Sequence, residues 1–428
     1  YYSFGTRVGL AMSKVVALKC ALCGRTFAQE AGVKTCPHCG VDGTMHVFYD
    51  YEEVAKTFTR RSLAADSRHS LWRYDALLPV EEGSVRPNLQ VGWTPLYDEP
   101  KLAQRYGVAS VKVKDDGRNP TASLKDRASA IAVTMALEQG QSTVACASTG
   151  NAASSLSGFA AVTGLNSVIF VPETAPIAKV TQLLVYGAKV FLVRGDYAQT
   201  VELAMKAIEH HGWYDRNCAI NPYLVEGKKT CAMEIAEQCN WDLPDIVFVS
   251  VGDGCIVSSM YKGFYDLKQV GLIETIPAIV GVQAEGACPI HRAIQAGSNR
   301  VEFGAANTIA DSISVGAPRN WAKALNAIRS SGGTTVAVSD SEILESLCEL
   351  PRLTGVFAEP AGVAAYAGFR HMALEGRLKA DERVVLVVTG NGLKDVASAQ
   401  KAVQSAMTVD TGSEGLEQIE AFLQREER

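Results

Sequence analysis

Four cysteines stand at metal-ligand spacing in Cys20-Ala-Leu-Cys23-Gly and Cys36-Pro-His-Cys39-Gly. Each knuckle can place two thiols on one tight turn, where Gly24 and Gly40 allow φ > 0. Four thiolates suit tetrahedral zinc, and with no open-site ligand the metal is structural. A ribbon that has lost its metal, or oxidised pairs, is the alternative. His38 and His46 lie nearby and are unnecessary.

Four more segments carry reactive or anion-binding groups. In Asn119-Pro-Thr-Ala-Ser-Leu-Lys125-Asp-Arg a lysine sits just before a helix among small residues. Partial desolvation would lower its pKa and leave an amine able to form a Schiff base. Taken alone, an ordinary surface lysine explains it better. Ser148-Thr149-Gly150-Asn151-Ala152 follows a buried strand and opens a helix. Free N–H groups there attract an anion, here a substrate carboxylate. A plain N-cap by Ser148, Thr149 or Asn151 explains it equally well.

Gly252-Asp253-Gly254-Cys255-Ile256, after Ser250-Val251, is again strand to helix. Two glycines let the backbone wrap a phosphate that meets the helix dipole. It is neither a P-loop nor G-x-G-x-x-G, so a nucleotide has little support. Asp253 would repel phosphate unless it points away, and a tight turn is the alternative. Cys255 would gain reactivity at a helix N-terminus, although packing is the plainer reason for it. Thr389-Gly390-Asn391-Gly392 ends the last long strand, where a Thr hydroxyl can meet a heterocyclic nitrogen. Gly-Asn-Gly also makes a good turn without any ligand.

The elements that must hold these groups follow from the pattern. The 428 residues are 47% hydrophobic and 20% charged, which excludes long disorder and leaves room for about two or three domains. A net charge of −5 does not suit nucleic acid or an anionic membrane. No apolar run approaches a membrane span of about 18–20 residues. Apolar runs at 143–148, 167–171, 189–193, 245–251 and 383–388 alternate with helical periods at 151–163, 176–186, 196–210, 255–270 and 392–404. Short apolar runs between helices describe parallel strands buried on both faces, so the fold class is α/β with helices on both sides. From Thr411 onward, Leu416, Ile419 and Leu423 recur at helical spacing, which predicts an amphipathic helix packed on the body. Eleven cysteines without a signal sequence argue for a reducing compartment, and Cys146, Cys218, Cys231, Cys239, Cys288 and Cys348 read as buried thiols. Trp93 reads as core or hinge packing. Residues 1–12 are set apart as a leader, with Met12 a candidate start.

An amine, a carboxylate site, a phosphate cradle and a ring-nitrogen partner, all near strand-to-helix junctions, describe pyridoxal phosphate holding an amino acid. Here the chain resembles the threonine synthase family, of the tryptophan-synthase-β fold type. The resemblance runs from the cysteine knuckles with VFYDYE behind them to VVTGNGLKD, and QLLVYGAKV, INPYLVEGKKT, GVQAEGA and GVFAEPAG match in order. It implies two open twisted, mostly parallel sheets with helices on both faces and a small N-terminal zinc ribbon. It implies that Lys125 holds the cofactor and that Asn151 bonds the pyridine hydroxyl. Gly252, Asp253, Gly254, Cys255 and Ile256 would cradle the phosphate, and Thr389 would face the ring nitrogen. Ser148, Thr149, Gly150, Asn151 and Asn221 would bind substrate, and Cys20, Cys23, Cys36 and Cys39 would hold zinc. The domains it implies are a ribbon at 13–50, a large domain at 51–109 and 225–405, a small mobile domain at 110–224 and a C-terminal helix at 406–428.

The implied reaction turns O-phosphohomoserine and water into threonine and phosphate. Lys125 would remove the α-proton, and the γ-phosphate would leave before water adds at Cβ. The chain also departs from the family. Ala122 and Ala128 stand where glycine is usual, and cations expected near Ala175-Pro176, at Leu224 and at Ser314 are missing. A phosphorylated substrate needs paired positive donors, for which Lys125, Arg127, Lys179, Asn221 and Arg319 are candidates. A threonine or serine ammonia-lyase, or a cysteate synthase-like enzyme, is therefore the alternative. A non-catalytic ribbon protein on a degenerate scaffold is disfavoured by Lys125, Asn151 and Thr389. The resemblance further implies a cytoplasmic homodimer acting on a small amino acid.

Overall fold

Runs that are apolar on both faces need helices on each side, and all but the one at 189–193 become inner strands of two mostly parallel sheets. The computed structural model describes residues 14–29, 33–175 and 177–426. The leader and Pro176 lie outside those residues. Strands β1 (Val15–Cys20), β2 (Thr26–Phe27) and β3 (Met45–Tyr49) form an antiparallel ribbon in the order β2-β1-β3.

The body contains β4 (Leu96–Asp98), β5 (Ser110–Asp115), β6 (Thr143–Ala147), β7 (Asn166–Pro172), β8 (Lys189–Val193), β9 (Tyr214–Asp215), β10 (Ile246–Ser250), β11 (Ala278–Ala284), β12 (Thr335–Val338) and β13 (Arg383–Val388). The larger sheet has the order β12-β11-β10-β13-β5-β4 and is parallel except at β4. The smaller sheet, β8-β7-β6-β9, is parallel throughout.

Several expectations need correction. β5 pairs with β13, so 110–115 belongs to the larger sheet and not to the small lobe. Its alternation is masked by Lys112 and Lys114, and Lys114 is nevertheless fully buried against Glu234. β11 and β12 have no counterpart among the five apolar runs, because Gly281 and Gln283 interrupt one and the other is four residues long. β8 is an edge strand, with Phe191 49% and Leu192 57% exposed, so it is not buried on both faces. The element at 392–404 divides into a 3-10 turn, Gly392–Asp395, and a helix, Val396–Ala402, which Asp395 caps through Ser398 N. The C-terminal helix forms at Ser413–Glu426, but Leu416, Ile419 and Leu423 stay exposed, and it does not bury its apolar face on the body.

The helices Lys125–Glu138, Tyr223–Gln238 and Cys255–Gln269 pack in succession. Buried charge pairs hold the stack. Arg127 bridges Asp116 (2.7 Å) and Glu234 (2.5 Å), and Lys114 reaches Glu234 at 2.7 Å. The ribbon joins the same stack through Tyr49 Oη to Glu226 (2.8 Å) and Tyr51 Oη to Asp266 (2.7 Å). Lys229 pairs with both carboxylates, so these phenol donors meet charged partners instead of an apolar wall. Trp93, at φ 51°, stacks under the Arg73 guanidinium 4.3 Å from its ring centre and acts as packing.

Candidate active site

A cleft of about 1950 Å³ opens at the C-terminal ends of the strands, and Lys125, Ser148, Asn151, Gly254 and Thr389 all line it. Open α/β sheets place ligands there. Lys125 is the first residue of its helix. The loop before it is pinned to the end of β13. Leu124 N donates to Thr389 O (2.9 Å), and Asn391 N donates to Ala122 O (3.0 Å). Ala122 adopts φ 65°, a left-handed conformation that explains why glycine is the usual residue. Burial is the main cause that brings the Lys125 amine down to about 8, with Lys228 adding to it and Glu359 opposing. A usable fraction is therefore the free base near neutral pH.

β6 ends at Ala147, and the next helix starts at Asn151 with Gly150 as its N-cap and no side-chain cap. Ser148 Oγ accepts from Gly150 N instead (3.2 Å). The plain-cap reading therefore fails. Among the described residues, the N–H groups of Thr149, Asn151 and Ala152 have no acceptor, which suits a carboxylate. Asn151 Nδ2 donates to Glu359 Oε1 at 2.6 Å.

β10 runs into the loop 252–254 and the helix Cys255–Gln269. Gly254 has φ 91°, and a Cβ there would lie 2.9 Å from Asn320 O. A Cβ at Gly252 would lie 3.0 Å from Ile313 Cα. Both glycines are required by close approach, and Gly254 also by its backbone conformation. The N–H groups of Gly252, Asp253, Gly254, Cys255 and Ile256 have no acceptor among the described residues. Asp253 points away from them. Its Oδ1 accepts from Arg319 N (2.7 Å), and its Oδ2 accepts from Asn320 Nδ2 (3.3 Å). This donor set fits a phosphate monoester. Thr389 Oγ1 and Ser250 Oγ, from neighbouring strands, lie 3.4 Å apart and form a hydroxyl pair suited to a ring nitrogen.

The candidate cations are only partly where they were expected. Arg127 is fully buried in its ion pairs and does not reach the cleft, which corrects that candidate. Lys179 pairs with Asp311 at 2.5 Å, while Arg319 lines the cleft. Asn221 lines it too, but its amide donates to Tyr214 Oη and Asp215 O, both at 3.0 Å. Leu224 is fully buried in the small-lobe core. Two buried cations that sequence reasoning missed, Arg216 and Lys228, line the cleft. Arg216 donates to Lys125 O at 3.3 Å, and Lys228 donates to Cys218 Sγ at 2.8 Å. Lys228 and Glu359 fall inside matching segments, INPYLVEGKKT and GVFAEPAG, which were the available signal. Arg216 follows a two-residue strand and gave none.

The Sγ atoms of Cys20, Cys23, Cys36 and Cys39 lie within 4.8 Å of one another. Four thiols so grouped, without His38 or His46, fit one tetrahedral zinc. No described helix is long and apolar enough to cross a membrane.

The family described as pyridoxal-phosphate dependent enzyme matches residues 88–390. The chain is 38% identical over 401 residues to the threonine synthase of Methanosarcina acetivorans, covering 93% of this chain and 97% of that protein. It is 37% identical over 403 residues to the threonine synthase of Methanocaldococcus jannaschii, covering 94% and 98%. Among solved structures, the processed form of threonine deaminase isoform 2 from Solanum lycopersicum is similar at a TM-score of 0.63 and 21% identity, covering 83% and 89%. That likeness bears on the fold alone. The chain belongs to the pyridoxal-phosphate dependent enzymes and, within them, to the threonine synthase family.

Proposed function

We propose that the protein converts O-phosphohomoserine and water to threonine and inorganic phosphate. The observation that carries this reading is a cleft with more positive donors than one cofactor phosphate requires. The loop 252–256 supplies backbone N–H groups for that phosphate, and Arg216, Lys228 and Arg319 line the same cleft. The cations missing from the sequence pattern therefore have substitutes, and paired cations favour a phosphorylated substrate. Identity of 38% to a threonine synthase along nearly the whole chain supports the same substrate.

In this reading Lys125 holds the cofactor and then moves the proton at Cα, a task that suits an amine titrating near 8. Bound pyridoxal phosphate supplies an electron sink for the carbon that loses that proton. The Ser250 and Thr389 hydroxyls would hold its ring nitrogen, and the free N–H groups of Thr149, Asn151 and Ala152 would orient the substrate carboxylate. The lobe carrying β6–β9 closes over the substrate and controls when water enters. The protein works in the cytoplasm as a homodimer.

Holoenzyme incubated with O-phosphohomoserine should release threonine and phosphate in equal amounts. Ammonia and a 2-oxo acid from threonine or serine, with no phosphate release, would assign the ammonia-lyase alternative instead. Light scattering should return about twice the chain mass of 45.8 kDa.

A further inference from the structure

We propose that Lys323 is a positioning residue for the cofactor phosphate cradle and that, through it, zinc in the ribbon and pyridoxal phosphate bind cooperatively. The inference rests on the reading of 252–256 as that cradle and is independent of which amino acid is the substrate. Lys323 lies on the helix Trp321–Ser330, is 3% exposed and does not line the cleft. Its ammonium donates to the carbonyl of Met45, the first residue of the ribbon strand β3. An ammonium buried so deeply is costly without its acceptor, so the lysine and the carbonyl fix each other in place.

The ribbon end of this tie is held by the cysteine knuckles. Met45 pairs with Cys20 in the β1–β3 ladder. Just before it, Thr44 O accepts from Ala21 N at 2.9 Å, and Gly43 O accepts from Cys36 N at 2.8 Å. A Cβ at Gly43 would lie 2.6 Å from Cys36 Cβ and 2.8 Å from Cys39 Cβ. The strand therefore starts against both knuckles, and a metal that gathers the four thiols sets where the Met45 carbonyl stands. The other end of the tie is the wall of the cradle. Asn320 caps the helix that carries Lys323, about one turn before it. Its N donates to Asp253 O at 3.1 Å, and its Nδ2 donates to Cys255 Sγ at 2.8 Å. A Cβ at Gly254 would meet Asn320 O at 2.9 Å and Ala324 Cβ at 3.0 Å. With Lys323 untied, the start of this helix is free to draw back from Asp253 and Gly254, and the N–H groups of the loop lose their common aim on a phosphate.

Full-length protein, either zinc-loaded or treated with a chelator under a thiol reductant, should be titrated with pyridoxal phosphate and with pyridoxal, which lacks the phosphate. Removing zinc should weaken pyridoxal phosphate about tenfold and leave pyridoxal nearly unchanged. Linkage then requires pyridoxal phosphate to tighten zinc by the same factor, read by competition with a chromophoric chelator. Lys323→Met should still hold about one zinc per chain, bind pyridoxal phosphate as weakly as the chelated protein does, and lose no more on chelation. If that variant does not fold, the two vitamers compared on the unaltered protein decide alone. Equal pyridoxal phosphate affinity with and without zinc, an equal loss for pyridoxal, or undiminished coupling in Lys323→Met overturns the proposal. Gly254→Ala that binds pyridoxal phosphate as tightly as the unaltered protein would instead overturn the reading of 252–256 as the cradle.

Discussion

The Asn151 side chain donates to Glu359 at 2.6 Å, joining the residue that opens the helix after β6 to the one that precedes the helix Pro360–Leu374. Glu359 also sits against Gly390, where a Cβ would lie 2.3 Å from Oε1. A hydrogen bond to a buried carboxylate contributes about 1.5–3 kcal/mol. Asn151→Ala and Glu359→Gln should each lower kcat/KM by about tenfold or more, and the double variant should lose much less than the product of the two. Simple multiplication of the two losses would show that the pair does not act together. Gly390→Ala should lower cofactor affinity, because the carboxylate has to move.

Lys125 titrates at about 8 instead of 10.5 because it is buried beside Lys228. Only the uncharged amine reacts with an aldehyde. The rate at which cofactor-free protein takes up pyridoxal phosphate should therefore rise with pH and level off just above 8. Lys228→Met should move the inflection upward, since one opposing charge is gone. Stopped-flow absorbance measures both, and a rate still climbing at pH 10 in the unaltered protein contradicts the assignment.

Burial pushes the Glu234 carboxyl up, but Arg127 and Lys114 outweigh it and hold it at about 2. A carboxyl whose folded pKa is depressed stabilises the fold above its unfolded value of 4.5 and loses that contribution as pH falls toward 2. The contribution is on the order of 3 kcal/mol. Urea midpoints should be flat from pH 7 to 5 and then fall. Glu234→Gln leaves Arg127 and Lys114 underpaired and should cost about 3–5 kcal/mol at pH 7. In that variant the acid-dependent loss should shrink.

Ala122 holds φ 65° in the loop that carries Lys125. That conformation costs an L-residue roughly 1–2 kcal/mol, partly offset because glycine loses more chain entropy on folding. Ala122→Gly should gain about 0.5–1 kcal/mol in chemical denaturation, and Ala122→Val should lose more than that. A destabilised Ala122→Gly would mean that the strain is absent.

The four ribbon thiols should retain about one zinc per chain through dialysis. Cys20 and Cys36, the two buried ones, should be the least replaceable. Cys36→Ser should bring the metal measured by atomic absorption close to zero and lower Tm. A full equivalent of zinc in that variant would place the metal elsewhere.

The cysteine spacing, the strand-to-helix junctions and the segment around Lys125 were legible in the sequence because each is defined within a few residues. Local turn geometry sets where a thiol, a free N–H or an amine can stand, and the order of strands and helices requires both sheet faces to be covered. Long-range pairing was not legible. Arg127 looked like a substrate cation until Glu234, 107 residues away, captured it, while Arg216 and Lys228 took their places in the cleft only when β9 and the helix after it folded against Lys125. β5 joined the larger sheet although two lysines broke its pattern, because one of them found a buried carboxylate. A side chain's type limits what it can do, but its charge state and reach depend on partners that only the tertiary structure brings within hydrogen-bond distance.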